Sequence, residues 1–250
     1  MKIALCFLTY SDLTQSEMWK YFINKTEYYN CYIHNKYDFD SYFRQFSIAN
    51  IVVTEYGKIS IVKATLELFK AAYENEDNEY FVLLSDSCIP LYGPTKIYKE
   101  ITSKKTNIIT NYFSAECIRY NTLFLKEFFQ QNKFSKQQQW MCLTRDTVGF
   151  FITNDLTDVF GENCEVPDEH YFINIINKFN LGYTNKRLTF VNWKERSDSV
   201  YHRPLPKTYI RGTDEIINQM RNSGCLFSRK IAKNCTFPTS FLMEIKQDNT

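Results

Sequence analysis

The run Phe81-Val82-Leu83-Leu84 ends abruptly in Ser85-Asp86-Ser87-Cys88, just before Ile89-Pro90-Leu91. A short apolar stretch bounded by small polar residues is the pattern of a buried strand. Three other runs share it: Ile3 to Leu8, Cys31 to Ile33 and Ile51 to Val53. The segments between them carry helix-like spacing, so the chain opens as alternating β and α units, the signature of an α/β fold.

Between the third and fourth runs, Ile61, Ala64, Leu68 and Ala71 or Ala72 fall on one face of a predicted helix that Ser60 would cap, followed by a polar loop from Glu74 to Glu79. Further on, the pattern predicts a helix near Pro94 to Thr102, an extended stretch from Asn107 to Phe113 and a polar, Gln-rich segment from Gln130 to Gln139. Then come a strand and helix around Met141 to Thr153, a helix from about Asp168 to Phe179, a strand at Leu188 to Trp193 and a helix from about Asp214 to Met220. Neither an internal repeat nor a Pro- or Gly-rich linker divides the 250 residues, which predicts one continuous domain over residues 1–250.

Composition narrows the function classes. Thirty Lys plus Arg against 28 Asp plus Glu leave a net charge of +2, so no global basic field is present and a general nucleic-acid binder is disfavoured. Hydrophobic residues at 44% and charged residues at 23% exclude disorder as the main state. Aromatic residues reach 17%, enough to stack on flat or sugar-like ligands as well as fill a core. No stretch approaches the roughly 20 apolar residues that span a bilayer, and no cleavage site follows the opening apolar run. The expectation is a soluble, cytoplasmic protein without signal peptide or anchor. Eight scattered cysteines form no Cys-x-x-Cys pair, and His34, His170 and His202 make no zinc-ligand spacing, which predicts free thiols in a reducing compartment.

Ligands of open α/β sheets bind beyond the carboxyl ends of the strands, where Asp86 and Ser87 would sit. Asp86 could instead bond its own turn. Pro167-Asp168-Glu169-His170 puts two carboxylates in the predicted first turn of a helix. The macrodipole there favours an ionised carboxylate suited to a general base, although Pro followed by acids is also an ordinary helix start. Arg229-Lys230, with Lys207 and Arg211 upstream, could neutralise a departing diphosphate where a metal is absent, or could be solvated surface. The indoles of Trp140 and Trp193 could receive the apolar side of a sugar or belong to the core. Asp38-Phe39-Asp40 is the one Asp-x-Asp suited to a divalent cation, but it also reads as the start of the helix around Ser41 to Phe46. No Gly-rich phosphate loop is present.

Five ordered segments, Leu83-Leu84-Ser85-Asp86-Ser87-Cys88-Ile89-Pro90-Leu91, Gln139-Trp140-Met141-Cys142-Leu143-Thr144-Arg145, Pro167-Asp168-Glu169-His170, Phe190-Val191-Asn192-Trp193 and Leu226-Phe227-Ser228-Arg229-Lys230, together resemble the core-2/I-branching β-1,6-N-acetylglucosaminyltransferase family, with its plant-type and xylosyltransferase relatives. The resemblance implies a GT-A-like fold, a Rossmann-like mixed central sheet flanked by helices. Residues 1 to about 115 would form a nucleotide-sugar half and about 116 to 250 an acceptor and catalytic-base half. It implies inverting transfer of a sugar, N-acetylglucosamine or xylose, from a UDP-sugar to a hydroxyl of a glycan or glycoprotein acceptor, with no metal and no cofactor.

By the same resemblance Glu169 would be the general base, while Lys230, assisted by Arg229 or Lys207, would contact the donor diphosphate. Thr9, His34, Asn35, Asp86 and Ser87 would hold the nucleotide and donor sugar. Trp140, Asp168 and Trp193 would line the acceptor site. The chain departs from the family in two places: His34-Asn35-Lys36 stands where the family has His-x-Asp, and Glu195 stands where some relatives carry an aromatic residue. The expectation is a minimal catalytic domain without the membrane anchor and stem common in cellular members. Two rival readings are a metal-dependent nucleotidyl- or glycosyltransferase with a cation on Asp38, Asp40 or Asp86, and a non-catalytic glycan-binding protein built on the aromatic residues.

Overall fold

In a computed structural model, residues 1–113, 125, 128–129, 134–161, 164–193 and 205–247 are described. Cys117, Glu195, Arg203 and the first part of the Gln-rich segment lie outside them. Strands β1 (Lys2–Thr9), β2 (Tyr29–Asn35) and β3 (Asn78–Ser85) alternate with helices α1 (Ser16–Ile23) and α2 (Ser60–Tyr73). The chain continues through β4 (Ile89–Pro90), α3 (Pro94–Thr102), β5 (Asn107–Ile109), β6 (Tyr112–Phe113), β7 (Ser135–Lys136), β8 (Cys142–Thr144) and α4 (Arg145–Thr153). After the short α5 (Thr157–Phe160) come α6 (Tyr171–Lys178), β9 (Tyr183–Asn185), β10 (Thr189–Val191), β11 (Tyr209–Arg211), α7 (Asp214–Asn222), β12 (Phe227–Arg229), β13 (Ile231–Thr236) and α8 (Thr239–Gln247).

Six strands form the central sheet in the order β2-β1-β3-β8-β5-β9. The first three run parallel, β8 is antiparallel to both β3 and β5, and β9 is parallel to β5. The result is the mixed, helix-flanked GT-A-like architecture that the family resemblance implies. Side chains alternate across the pleat, and the two faces enter different clusters. Ile3, Leu5 and Phe7 pack with Trp19 and Phe22 of α1 and with Ile97 and Ile101 of α3. Ala4 and Cys6 pack with Val62, Leu66 and Phe69 of α2 and with Phe172 and Ile176 of α6. Burial on both faces explains why β1 and β3 are continuously apolar rather than alternating. Each fully buried Leu, Ile, Val or Phe side chain among these contributes about 1.5–3 kcal/mol. The seven cysteines among the described residues are buried, and no disulfide joins any two of them.

Two smaller sheets lie past the carboxyl end of β3. One has the order β10-β12-β4 and the other pairs β11 with β13. They bring distant sequence to that edge. Ile231 N–H donates to the Ser87 carbonyl at 3.0 Å, and Leu91 N–H to the Leu226 carbonyl at 2.9 Å.

Four sequence expectations are corrected. The run Ile51 to Val53 is not a strand: Ser47 already occupies the edge of β2 through a bridge to Ile33, and Val53 is 85% exposed. Ser60 does not cap α2, because its hydroxyl accepts from Glu55 N–H and Ile59 is the cap position. The buried stripe of α2 includes Val62, Leu66 and Phe69, with Ile61 only partly covered. Asp38-Phe39-Asp40 starts no helix; Ser41 caps a 3-10 turn over Tyr42–Phe46, and Asp38 pairs with Arg44 at 3.0 Å.

Candidate active site

The carboxyl edge of the parallel strands carries polar groups that find no protein partner among the described residues. Thr9 Oγ1, Asn35 Oδ1 and His34 Nδ1 are buried and make no hydrogen bond there. Buried polar groups left unsatisfied by protein are costly and so mark places where ligand or solvent completes the bonding. His34 is 1% exposed and its Nε2 accepts from Val52 N–H at 2.9 Å. Burial holds its imidazole below the ordinary histidine pKa. Asp86 sits at the tip of β3. Its carboxylate accepts from Tyr10 N–H at 3.1 Å, and its carbonyl accepts from both the N–H and the hydroxyl of Thr14. The carboxylate is therefore fixed to the end of β1 rather than to its own turn. Ser87 is buried beside it, with its hydroxyl 3.2 Å from that of Ser85.

Three cations meet this edge. Arg229 closes β12, and its guanidinium lies 4.5 Å from the centroid of the Trp140 ring. Burial lowers its pKa, and the nearby Asp86 carboxylate opposes that shift. Among the described residues it makes no ion pair, and its Nε is buried without a hydrogen-bond partner. A guanidinium stays charged under these conditions, so an anion is the natural complement. Lys230 follows, exposed, on backbone held from both sides: its carbonyl accepts from Tyr209 N–H at 2.8 Å, and the next residue bonds Ser87. Lys207 is drawn to the same place, because its N–H donates to the Asn192 carbonyl and its ammonium lies 5.4 Å from the Tyr209 ring centroid. Arg211 lies farther along β11, exposed.

Glu169 stands on a different element. Pro167–Glu169 form a 3-10 turn, and α6 begins only at Tyr171, because His170 has φ −133°. The predicted single helix from Asp168 to Phe179 is therefore broken. Tertiary contacts explain the break: His170 stacks on Phe134 at 5.1 Å and its Nδ1 bonds the Ser135 carbonyl. Glu169 thus lies ahead of the α-helix rather than in its first turn, and the macrodipole acts on it less directly than the sequence implies. Its carboxylate is instead held by Lys136, 3.1 Å from Nζ to Oε2. Val166, just before the turn, has φ +52°, a left-handed conformation costing a β-branched residue about 1–3 kcal/mol.

Two segments join Glu169 to the cations. Gly57, with φ +72°, presents its carbonyl to Val166 N–H at 3.0 Å, which ties the segment after Tyr56 to the turn that carries Glu169. Gln137 N–H donates to the Glu169 carbonyl, and three residues later Trp140 supports Arg229. Trp140 is only 5% exposed, so its ring underlies the guanidinium and offers little face to a sugar; Trp193, after β10, is 45% exposed. Asp168 is buried within the turn. The residues that sequence reasoning missed are Lys136, Gln137 and the Tyr56-Gly57 turn. Lys136 and Gln137 sit in a stretch whose polarity reads as loop, and Tyr56-Gly57 carries no signal beyond a glycine.

Fold and edge chemistry define a GT-A-like α/β protein with an anion-suited rim at the carboxyl ends of its parallel strands. The profile of the Core-2/I-Branching enzyme family matches residues 3–221, and the chain belongs to that family. It is similar to Glycosyltransferase BC10 of Oryza sativa subsp. japonica, 23% identical over 251 residues, covering 83% of this chain and 62% of that protein. The chain thus spans less than two thirds of that relative's length. Among solved structures, the crystal structure of A197 from STIV matches 60% of this chain and 68% of its own at 6% identity and a TM-score of 0.29, a likeness that carries no weight.

Proposed function

We propose that the chain is an inverting, metal-independent glycosyltransferase that moves a sugar, N-acetylglucosamine or xylose, from a UDP-sugar to a hydroxyl of a glycan or glycoprotein acceptor. The observation that carries this reading is the Arg229 guanidinium, without an ion pair among the described residues and stacked on Trp140 at the tip of β3. Family membership supports a sugar-transfer reaction.

In this reading, residues 1 to about 115 hold the donor and the remainder the acceptor and the base. Thr9, His34 and Asn35 offer buried polar atoms to the uridine. Asp86 and Ser87 face the donor sugar. Arg229, Lys230 and Lys207 take up the charge that grows on the diphosphate, at positions fixed before reaction and so with little reorganisation. Trp193 receives the acceptor ring, Asp168 shapes the base's turn, and Trp140 supports Arg229. Glu169 takes the proton from the acceptor hydroxyl as that oxygen bonds the anomeric carbon. The bond from that carbon to the diphosphate oxygen breaks on the opposite face, and its electron pair leaves with UDP. Asp38 is already engaged by Arg44, which weakens the Asp-x-Asp as a cation site.

The test is UDP release from UDP-N-acetylglucosamine, UDP-xylose, UDP-glucose and UDP-glucuronic acid, with and without a glycan panel and EDTA. Acceptor-stimulated release that survives EDTA, with an inverted anomeric centre in the product, is the expected result. Loss on EDTA would favour the metal-dependent alternative, and glycan binding without UDP release the non-catalytic one.

A further inference from the structure

The strand pair that precedes Trp140 is fastened along the candidate base and its helix. Ser135 N–H donates to Asn174 Oδ1, and the Ser135 carbonyl accepts from Asn174 Nδ2 and bonds His170 Nδ1. Gln137 N–H donates to the Glu169 carbonyl at 2.7 Å, and Gln137 Oε1 accepts from Ile173 N–H at 2.6 Å, satisfying one of the donors that the start of α6 leaves open. Gln137 is fully buried, so its side-chain bond to α6 is shielded from water. Between Ser135 and Gln137 stands Lys136. Its side chain points away from the seam's buried partners, as alternation along a strand requires, and its ammonium reaches Glu169 Oε2 at 3.1 Å.

We propose that Lys136 is a positioning residue for Glu169. It has no part in proton transfer. The Glu169 backbone is held at its carbonyl by Gln137 and at its N–H by the Val166 carbonyl, which leaves the side-chain torsions to be fixed. The ammonium holds one carboxylate oxygen and so restricts these torsions, which aligns the carboxylate with the acceptor hydroxyl. Lys136 is 45% exposed and the carboxylate 23%, so the pair adds little to folding stability. Its effect lies in the alignment of the reacting atoms, where a displacement of about 1 Å costs on the order of 100-fold.

The inference rests on Glu169 being the base, and a double-mutant cycle separates the two claims. UDP release is measured for wild type, K136M, K136R, E169Q and K136M/E169Q on the UDP-sugar among the four above that the wild type turns over fastest, with melting temperatures alongside. K136M is expected to lower kcat by about 10- to 100-fold while the donor KM stays within about twofold, K136R to recover most of the loss, and K136M/E169Q to be no slower than E169Q. Wild-type kcat in K136M, or an equal loss from K136M in both backgrounds, overturns the positioning role even if E169Q is inactive. Wild-type kcat in E169Q overturns the base assignment itself.

Discussion

The Arg229 guanidinium lies 4.5 Å from the centroid of the Trp140 ring. These residues are 89 positions apart in sequence, yet the pair couples the segment bonded to Glu169 with the strand that ends at Arg229, just before Lys230. The stacked indole holds the planar cation in one orientation, and burial makes each bond it forms with an anion stronger than on open surface.

Removing that cation should weaken nucleotide binding. R229M is expected to lose about 1.5–3 kcal/mol, or roughly 10- to 150-fold, in affinity for UDP, because hydrogen bonds to a charged group have that magnitude. Titration calorimetry with UDP reads it. Affinity within twofold of wild type would remove Arg229 from the donor site.

His34 makes stability depend on pH. Its Nε2 must accept the Val52 N–H and its environment disfavours charge, so the folded pKa is lowered relative to the unfolded chain. The unfolded state then binds more protons below about pH 6.5, and stability falls as pH drops from that point until the folded pKa is passed. The slope from this one group is at most about 1.4 kcal/mol per pH unit. Urea denaturation of wild type and H34Q between pH 7.5 and 5 tests it: the wild type should lose more stability than the variant over that range, and parallel curves would contradict the assignment.

Arg145 ends one of the family-like segments but acts on the fold. Its guanidinium donates to the carbonyls of Tyr73, Asn75 and Asn78 and stacks on Tyr73 at 4.0 Å, tying the end of α2 to the start of α4. R145M should lower stability by about 1.5–3 kcal/mol while UDP release per folded molecule stays near wild type. A variant that melts normally but is inactive would place Arg145 in the reaction instead.

The central strands were legible because burial on both faces leaves no alternative to a continuous apolar run, as in Tyr80 to Leu84. The tip at Asp86 and Ser87 was legible for the same reason, since the run stops where the sheet ends. Ile51 to Val53 has equal local propensity for a strand, but Ser47 had already taken the β2 edge, a long-range choice that propensity does not encode. The break at His170 arises from Phe134 and Ser135, some 35 residues away, and Lys136 is one cation in a polar stretch until the fold brings Glu169 against it.

The most direct measurement is turnover of E169Q. The amide keeps the size and most of the bonding of the carboxylate but cannot accept the acceptor's proton, so UDP affinity and melting temperature should match wild type while kcat falls by about 100- to 10,000-fold. A folded, UDP-binding E169Q protein that transfers sugar at the wild-type rate would contradict the account.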